Sequence, residues 1–272
     1  MHPPDIEQKR AKRWRVNIVA ATWMSYAGFY FCRKTFGIVK PALKDDYGWV
    51  DTDLALIWTA YLASYMVGQF LSAFLGSRVA CRSLLLVGMM VSLVANIGLG
   101  TASMGGVDAF YWLVIFMIIN GFAQATGWPG NVGLLAKWST RSERGRLMGV
   151  WGTCYQIGST MAKHFAAFIL GLAGIAWSFW GASIVLMGVW VLFYFLGKEK
   201  PQDVGLPEFV EEVSEENTAS STPTQPWNKV VHVVIAMGMI YFCFKFVRYA
   251  LDSWTTTLIK ESFEVPVETA GH

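Results

Sequence analysis

The chain has 272 residues, 54% of them hydrophobic and only 15% charged, whereas a soluble domain carries roughly 25% charged residues; its mean hydropathy is +0.39. Lys+Arg number 22 and Asp+Glu 19, a formal charge of +3, a near balance that gives no support for a nucleic-acid partner. The composition excludes an ordinary soluble enzyme and points to a polytopic helical membrane protein, because at ~20 apolar residues per crossing the length holds six or seven spans.

Apolar runs predict spans at 16–39, 54–76, 83–103, 109–136, 146–174, 176–197 and 229–258. They are too long for barrel strands and do not alternate, so helices are the spanning form. The first run follows Lys9, Arg10, Lys12, Arg13 and Arg15 and has no small-residue cleavage site, so it is predicted to be a retained span rather than a signal peptide. Basic residues fall in alternate connections: the amino-terminal segment 1–15, then Arg78 and Arg82, then Lys137, Arg141, Arg144 and Arg146. The first loop instead mixes Lys40 and Lys44 with Asp45, Asp46, Asp51 and Asp53, and Asp108 is alone in the third-to-fourth connection. This asymmetry predicts a cytoplasmic amino terminus and a cell or inner membrane location.

In the fourth span Gly127, Pro129 and Gly130 are expected to allow a bend. Gly145 and Gly149 are expected to permit close helix approach. Arg78 and Arg82 either latch helix ends together or only set topology. Cys32, Cys81, Cys154 and Cys243 are scattered and suggest neither a zinc site nor a disulfide framework. Residues 198–228 change character, with Asp203, Glu208, Glu211, Glu212, Glu215 and Glu216 followed by a Ser/Thr/Pro stretch. This reads as an acidic cytoplasmic linker between a six-helix bundle (16–197) and the first helix of a second bundle (229–272) whose remainder is missing.

Charges inside spans carry the functional reading. A Lys or Arg near a span centre costs about 2.5–3.5 kcal/mol on insertion scales, so it faces a bundle interior or an aqueous cavity. Arg33 and Lys34 lie in the first span, Lys163 beside His164 in the fifth, and Lys245 and Arg248 in the seventh. Counted at 1.5 Å per residue, Arg33, Lys163 and Arg248 are ~27, ~26 and ~28 Å from Arg15, Arg146 and Lys229, which puts them in one layer. Tyr26, Tyr30 and Arg33 share a helix face, as do Gln156, Thr160 and Lys163, and Tyr241, Lys245, Arg248 and Asp252. Snorkelling of Arg33 and Lys34 to the outer interface, an Arg248–Asp252 pair, and a partner for Lys163 in missing helices are the structural alternatives. A cationic, partly dehydrated layer with guanidinium forks suits phosphate or carboxylate. Two arginines meeting across a pseudo-twofold axis fit a transporter built from two repeats.

On these residues the chain resembles the organophosphate:phosphate antiporter family of the major facilitator superfamily. The resemblance is carried by Arg33-Lys34-Thr35-Phe36, Asn120-Gly121-Phe122-Ala123-Gln124 with Gly127-Trp128-Pro129, and Glu143-Arg144-Gly145-Arg146. Pro201 to Pro207 and Arg248-Tyr249 with Asp252-Ser253-Trp254 complete it. It implies an all-α major facilitator fold and exchange of a sugar phosphate or glycerol phosphate for inorganic phosphate by alternating access, without a cofactor. Arg33 and Arg248 would line the central phosphate site, joined by Lys34, Tyr30, Tyr155, Lys163, Lys245 and Gln156, with Arg78, Arg82 and Pro129 serving gating. A transporter-like sensor of a sugar phosphate acting through a signalling partner is the alternative. An enzyme ranks far below, since no metal motif, nucleotide loop or nucleophile–base pair is evident. Compared with the family pattern, Tyr155 stands where histidine is usual, Lys163 and Gly130 where prolines are, Gln69 for a lysine, Gly133 for a basic residue and Ser77 for an acid.

Overall fold

The computed structural model describes residues 3–76, 78–207 and 227–263, and the described chain is almost entirely helical. Ser77, the stretch 208–226 that holds most of the predicted linker, and the side chains of Asp252 and Ser253 lie outside the described residues. The helices are α1 (Pro3–Tyr47), α2 (Asp51–Gly76), α3 (Cys81–Ala102), α4 (Phe110–Gln124), α5 (Gly127–Lys137), α6 (Arg141–Trp151), α7 (Thr153–Leu196) and α8 (Trp227–Phe263).

Five helical stretches among the described residues are long and apolar enough to cross a bilayer, and the one over Arg141–Leu196 is 56 residues long. The two spans predicted at 146–174 and 176–197 both fall in it. They are divided at Gly174, whose φ of +84° is a conformation only glycine adopts readily. The first predicted span is not one of the five. It is the innermost helix, buried along most of 18–43, and a helix walled by other helices need not be apolar all round.

The fourth predicted span is realised as two helices. The chain bends at Ala125 and Thr126, which keep right-handed helical angles. Pro129 sits in the first turn of α5 and has no N–H to donate, and the carbonyl of Ala125, four residues earlier, accepts instead from Gln69 Nε2 at 3.1 Å. Residues 198–207 do not behave as linker. Pro201 and Leu206 are buried, and Arg10 donates to the Val204 carbonyl at 2.6 Å.

Packing is most extensive between α1 and α7, then α2 and α4. It depends on glycine where backbones nearly touch. A Cβ on Gly158 would lie 2.8 Å from Ala27 Cα, and one on Gly121 2.0 Å from Ser64 Oγ. Gly145 and Gly149, read from sequence as the close-approach pair, face open space instead, because the short helix that carries them is mostly exposed. By contrast, no residue of the apolar window Val230–Leu251 in α8 is buried.

Candidate functional site

A cavity of about 740 Å³ opens among α1, α2, α5, α7 and α8, and both Arg33 and Arg248 line it. α1 supplies Tyr26 and Tyr30 as well as Arg33, at the spacing that puts them on one face. α8 supplies Tyr241, Phe244, Lys245 and Tyr249 beside Arg248, while Tyr65, Gln69, Trp128 and Tyr155 complete the wall. Among the described residues that line this cavity, three are cations and none is a carboxylate.

Aromatic faces hold the cations. The Arg33 guanidinium carbon lies 5.0 Å from the Tyr30 ring centre and 4.8 Å from that of Tyr65. Arg248 lies 5.0 Å from the Tyr155 ring, and the Lys245 ammonium 5.0 Å from Tyr241 and 5.7 Å from Tyr249. Each such contact contributes roughly 0.5–2 kcal/mol and fixes a charge without cancelling it.

Arg33 is only 6% exposed. Its Nε donates to Gln124 Oε1 at 2.9 Å, and its Nη2 is buried with no hydrogen-bond partner. Leaving a buried donor unsatisfied costs about 1–3 kcal/mol, more when it is charged. An arriving oxyanion would remove that cost, because it brings several acceptor lone pairs to a fork geometry. The arrangement is thus suited to binding a tetrahedral anion between two guanidinium groups from different helices.

The remaining sequence candidates are distributed differently. Lys34 is buried, with its ammonium 5.9 Å from the Tyr30 ring, but it does not line this cavity. Gln156 and Lys163 line a neighbouring cavity of about 900 Å³ between α7 and α8, to which Arg248 also contributes. The sequence reading placed Arg33, Lys163 and Arg248 in one layer, and depth alone does not separate these two chambers. Lys163 is eight residues beyond Tyr155, ~12 Å along α7, and on a face turned to the flank of α8. Arg82 donates from Nε to the Gly197 carbonyl at 2.6 Å and from Nη2 to the Tyr194 carbonyl at 2.8 Å, fastening the start of α3 to the end of α7. Arg78 instead lies over the Phe74 ring of its own helix end at 4.0 Å. Pro129 marks the bend that presents Trp128 to the cavity.

Two residues have roles that the sequence did not assign to them. Gln124 accepts from Arg33, and a polar amide in the middle of the predicted span 109–136 is the signal that points to it. Lys40, read as a loop charge, is fully buried, its ammonium 5.7 Å from the rings of Phe36 and Trp58 and 4.2 Å from that of Trp254 on α8. Its lack of any acidic spacing motif hid it.

The family model described as Major Facilitator Superfamily matches residues 22–271. Among curated proteins, the chain is 29% identical over 203 residues to a "Probable hexose phosphate transport protein" of Chlamydia pneumoniae, covering 75% of this chain and 44% of that one. It is 25% identical over 277 residues to the "Membrane sensor protein UhpC" of Escherichia coli (strain K12), covering 96% of this chain and 61% of that one. Among solved structures, a bacterial homologue of the human lysosomal transporter Spinster superposes with a TM-score of 0.72 at 14% identity, covering 95% of this chain and 58% of that one. The chain therefore spans roughly half of the length of the relatives it matches.

Proposed function

The chain belongs to the Major Facilitator Superfamily, a family of membrane transporters and not of enzymes, and from that premise we propose that it forms the anion-binding part of a phosphate-ester exchanger. The observation that carries the reading is the pair of guanidinium groups, Arg33 from α1 and Arg248 from α8, in one cavity whose described lining includes no carboxylate. A phosphate ester carries a charge near −1.5 to −2 at pH 7 and offers acceptors to both forks. With the amino terminus cytoplasmic, the substrate phosphoryl group draws the two halves together, neutralises the repulsion between them and permits closure. Inorganic phosphate presents the same oxygens and serves as the counter-substrate. Hexose phosphate is the first ester to test, in keeping with the name of the Chlamydia relative.

The test uses the complete reading frame in liposomes loaded with inorganic phosphate, with external glucose 6-phosphate and glycerol 3-phosphate as exchange partners. Wild type is expected to exchange, and Arg33→Ala and Arg248→Ala each to lose at least a hundredfold in rate, since each removes a charge-assisted fork. Normal exchange by either variant overturns the assignment. A second reading, sensing instead of transport, is favoured by the similarity to UhpC, which runs along 96% of this chain. Saturable binding of glucose 6-phosphate without exchange would select it.

A further inference from the structure

We propose that Gln124 is a positioning residue that presents Arg33 to an anion at full charge. The proposal deepens the phosphate-ester reading and rests on it.

Gln124 is fully buried, and both ends of its amide are committed. Its oxygen accepts from Arg33 Nε at 2.9 Å and from the Tyr61 hydroxyl at 3.1 Å. Its nitrogen donates to Asn120 Oδ1 at 3.0 Å and to Ser92 Oγ at 3.3 Å. Ser92 Oγ in turn donates to Asn120 Oδ1 at 2.6 Å, and Asn120 Nδ2 donates to the Cys32 carbonyl at 3.4 Å. A flipped Gln124 amide would turn its donors on the Arg33 donor and set its oxygen against the Asn120 oxygen, so the orientation is locked. Four helices, α1 to α4, are thereby joined to aim one guanidinium.

The chemistry of that holder is the informative part. A carboxylate would grip the guanidinium more tightly and would also cancel its charge. An amide oxygen fixes the same geometry and leaves the charge in place, as do the Tyr30 and Tyr65 rings. Nη2 is a further donor, buried and unsatisfied, on a side chain that lines the cavity. If Gln124 only satisfied a buried arginine, glutamate would offer Arg33 the same acceptor and leave phosphate binding unchanged. If it preserves charge for a ligand, glutamate is the harmful choice.

Gln124→Glu separates the two, using the full chain in detergent or nanodiscs with inorganic phosphate as the probe. The expected result is a folded protein with a phosphate Kd at least tenfold weaker, its thermal midpoint lowered by the lost donations to Asn120 and Ser92. In an Arg33→Gln background the same substitution should have no further effect on Kd, because Gln124 acts through Arg33. Should Gln124→Glu fail to fold, Gln124→Met, which keeps the length and removes the acceptor, is expected to weaken Kd severalfold. Wild-type Kd in a folded Gln124→Glu or Gln124→Met, or an equal loss with Arg33 already removed, overturns the proposal. Wild-type protein that binds no phosphate overturns the anion-site reading and this proposal with it, whereas wild-type binding that Gln124→Glu leaves intact overturns this proposal alone.

Discussion

Glu199 shows how one side chain outside the apolar runs can organise a helix end. Its two oxygens accept from the amides of Cys81 at 3.0 Å and Arg82 at 2.7 Å, the open donors at the start of α3, and it also pairs with Lys137. Burial works to raise its carboxyl, but the hydrogen bonds from Lys137 and the two amides, with the Lys137 charge, outweigh that and hold it below the ordinary glutamate range. A carboxyl whose pKa is lower in the folded than in the unfolded state adds stability that is full above the unfolded value and lost as pH falls through the folded one. Glu199→Gln is therefore expected to cost about 1–2 kcal/mol near neutral pH and to shrink the loss of thermal midpoint between pH 7 and pH 4. Melting curves at the two pH values decide it, and identical curves for variant and wild type would remove the carboxylate from this role. The sequence drew attention to Arg33 and Arg248 because a charge inside an apolar run is rare. Glu199 gave no such signal, since an acid at a helix end is ordinary by composition and the two amides it accepts from lie more than a hundred residues away.

Among whole elements, what was legible was their type and approximate place, and what was hidden was where runs divide or join and which faces meet. Apolar runs predicted the helices, and Gly127, Pro129 and Gly130 predicted a bend in the fourth span, which falls between α4 and α5. The pairing of α1 with α7 was not readable, because the contact depends on Gly158 meeting Ala27, two small residues 131 positions apart in number. The Gly145–Gly149 spacing gave the opposite impression and faces open space. These positions make a paired prediction. Gly158→Val must push against the α1 backbone, which cannot yield as a flexible side chain would, and is expected to destabilise by about 1–3 kcal/mol. Gly145→Ala meets nothing and should be neutral or gain up to about 1 kcal/mol from lower backbone freedom in the unfolded chain. Thermal unfolding in detergent measures both, and an equal effect of the two substitutions would contradict the packing described here.

Taken as a whole, the molecule is joined to α8 mainly at one end. The Val230–Leu251 window has no buried residue, yet a few residues further on Thr257 is 5% exposed and the Trp254 ring sits 4.2 Å from the Lys40 ammonium. Phe36 of α1 and Trp58 of α2 complete the aromatic surround, so this one cation touches rings from three helices. Contacts between a desolvated ammonium and a ring reach about 2 kcal/mol each, enough to matter where little else holds α8. Trp254→Ala removes the nearest ring and, among the described residues, the only one contributed by α8, so the end of α8 should separate from α1 while the rest of the bundle keeps its packing. Spin labels at Asp46→Cys on α1 and Leu258→Cys on α8 read this directly, since both positions are exposed. Cys243→Ser supplies the background, because Cys243 is exposed whereas Cys32, Cys81 and Cys154 are buried. The parent should give a narrow distance distribution and Trp254→Ala a broader one with a longer mean, and Lys40→Met should broaden it as well, since the rings keep an apolar neighbour but lose the charge. A distribution unchanged by both substitutions would mean that α8 is held by its buried Thr257 contact and not by the lysine and its rings.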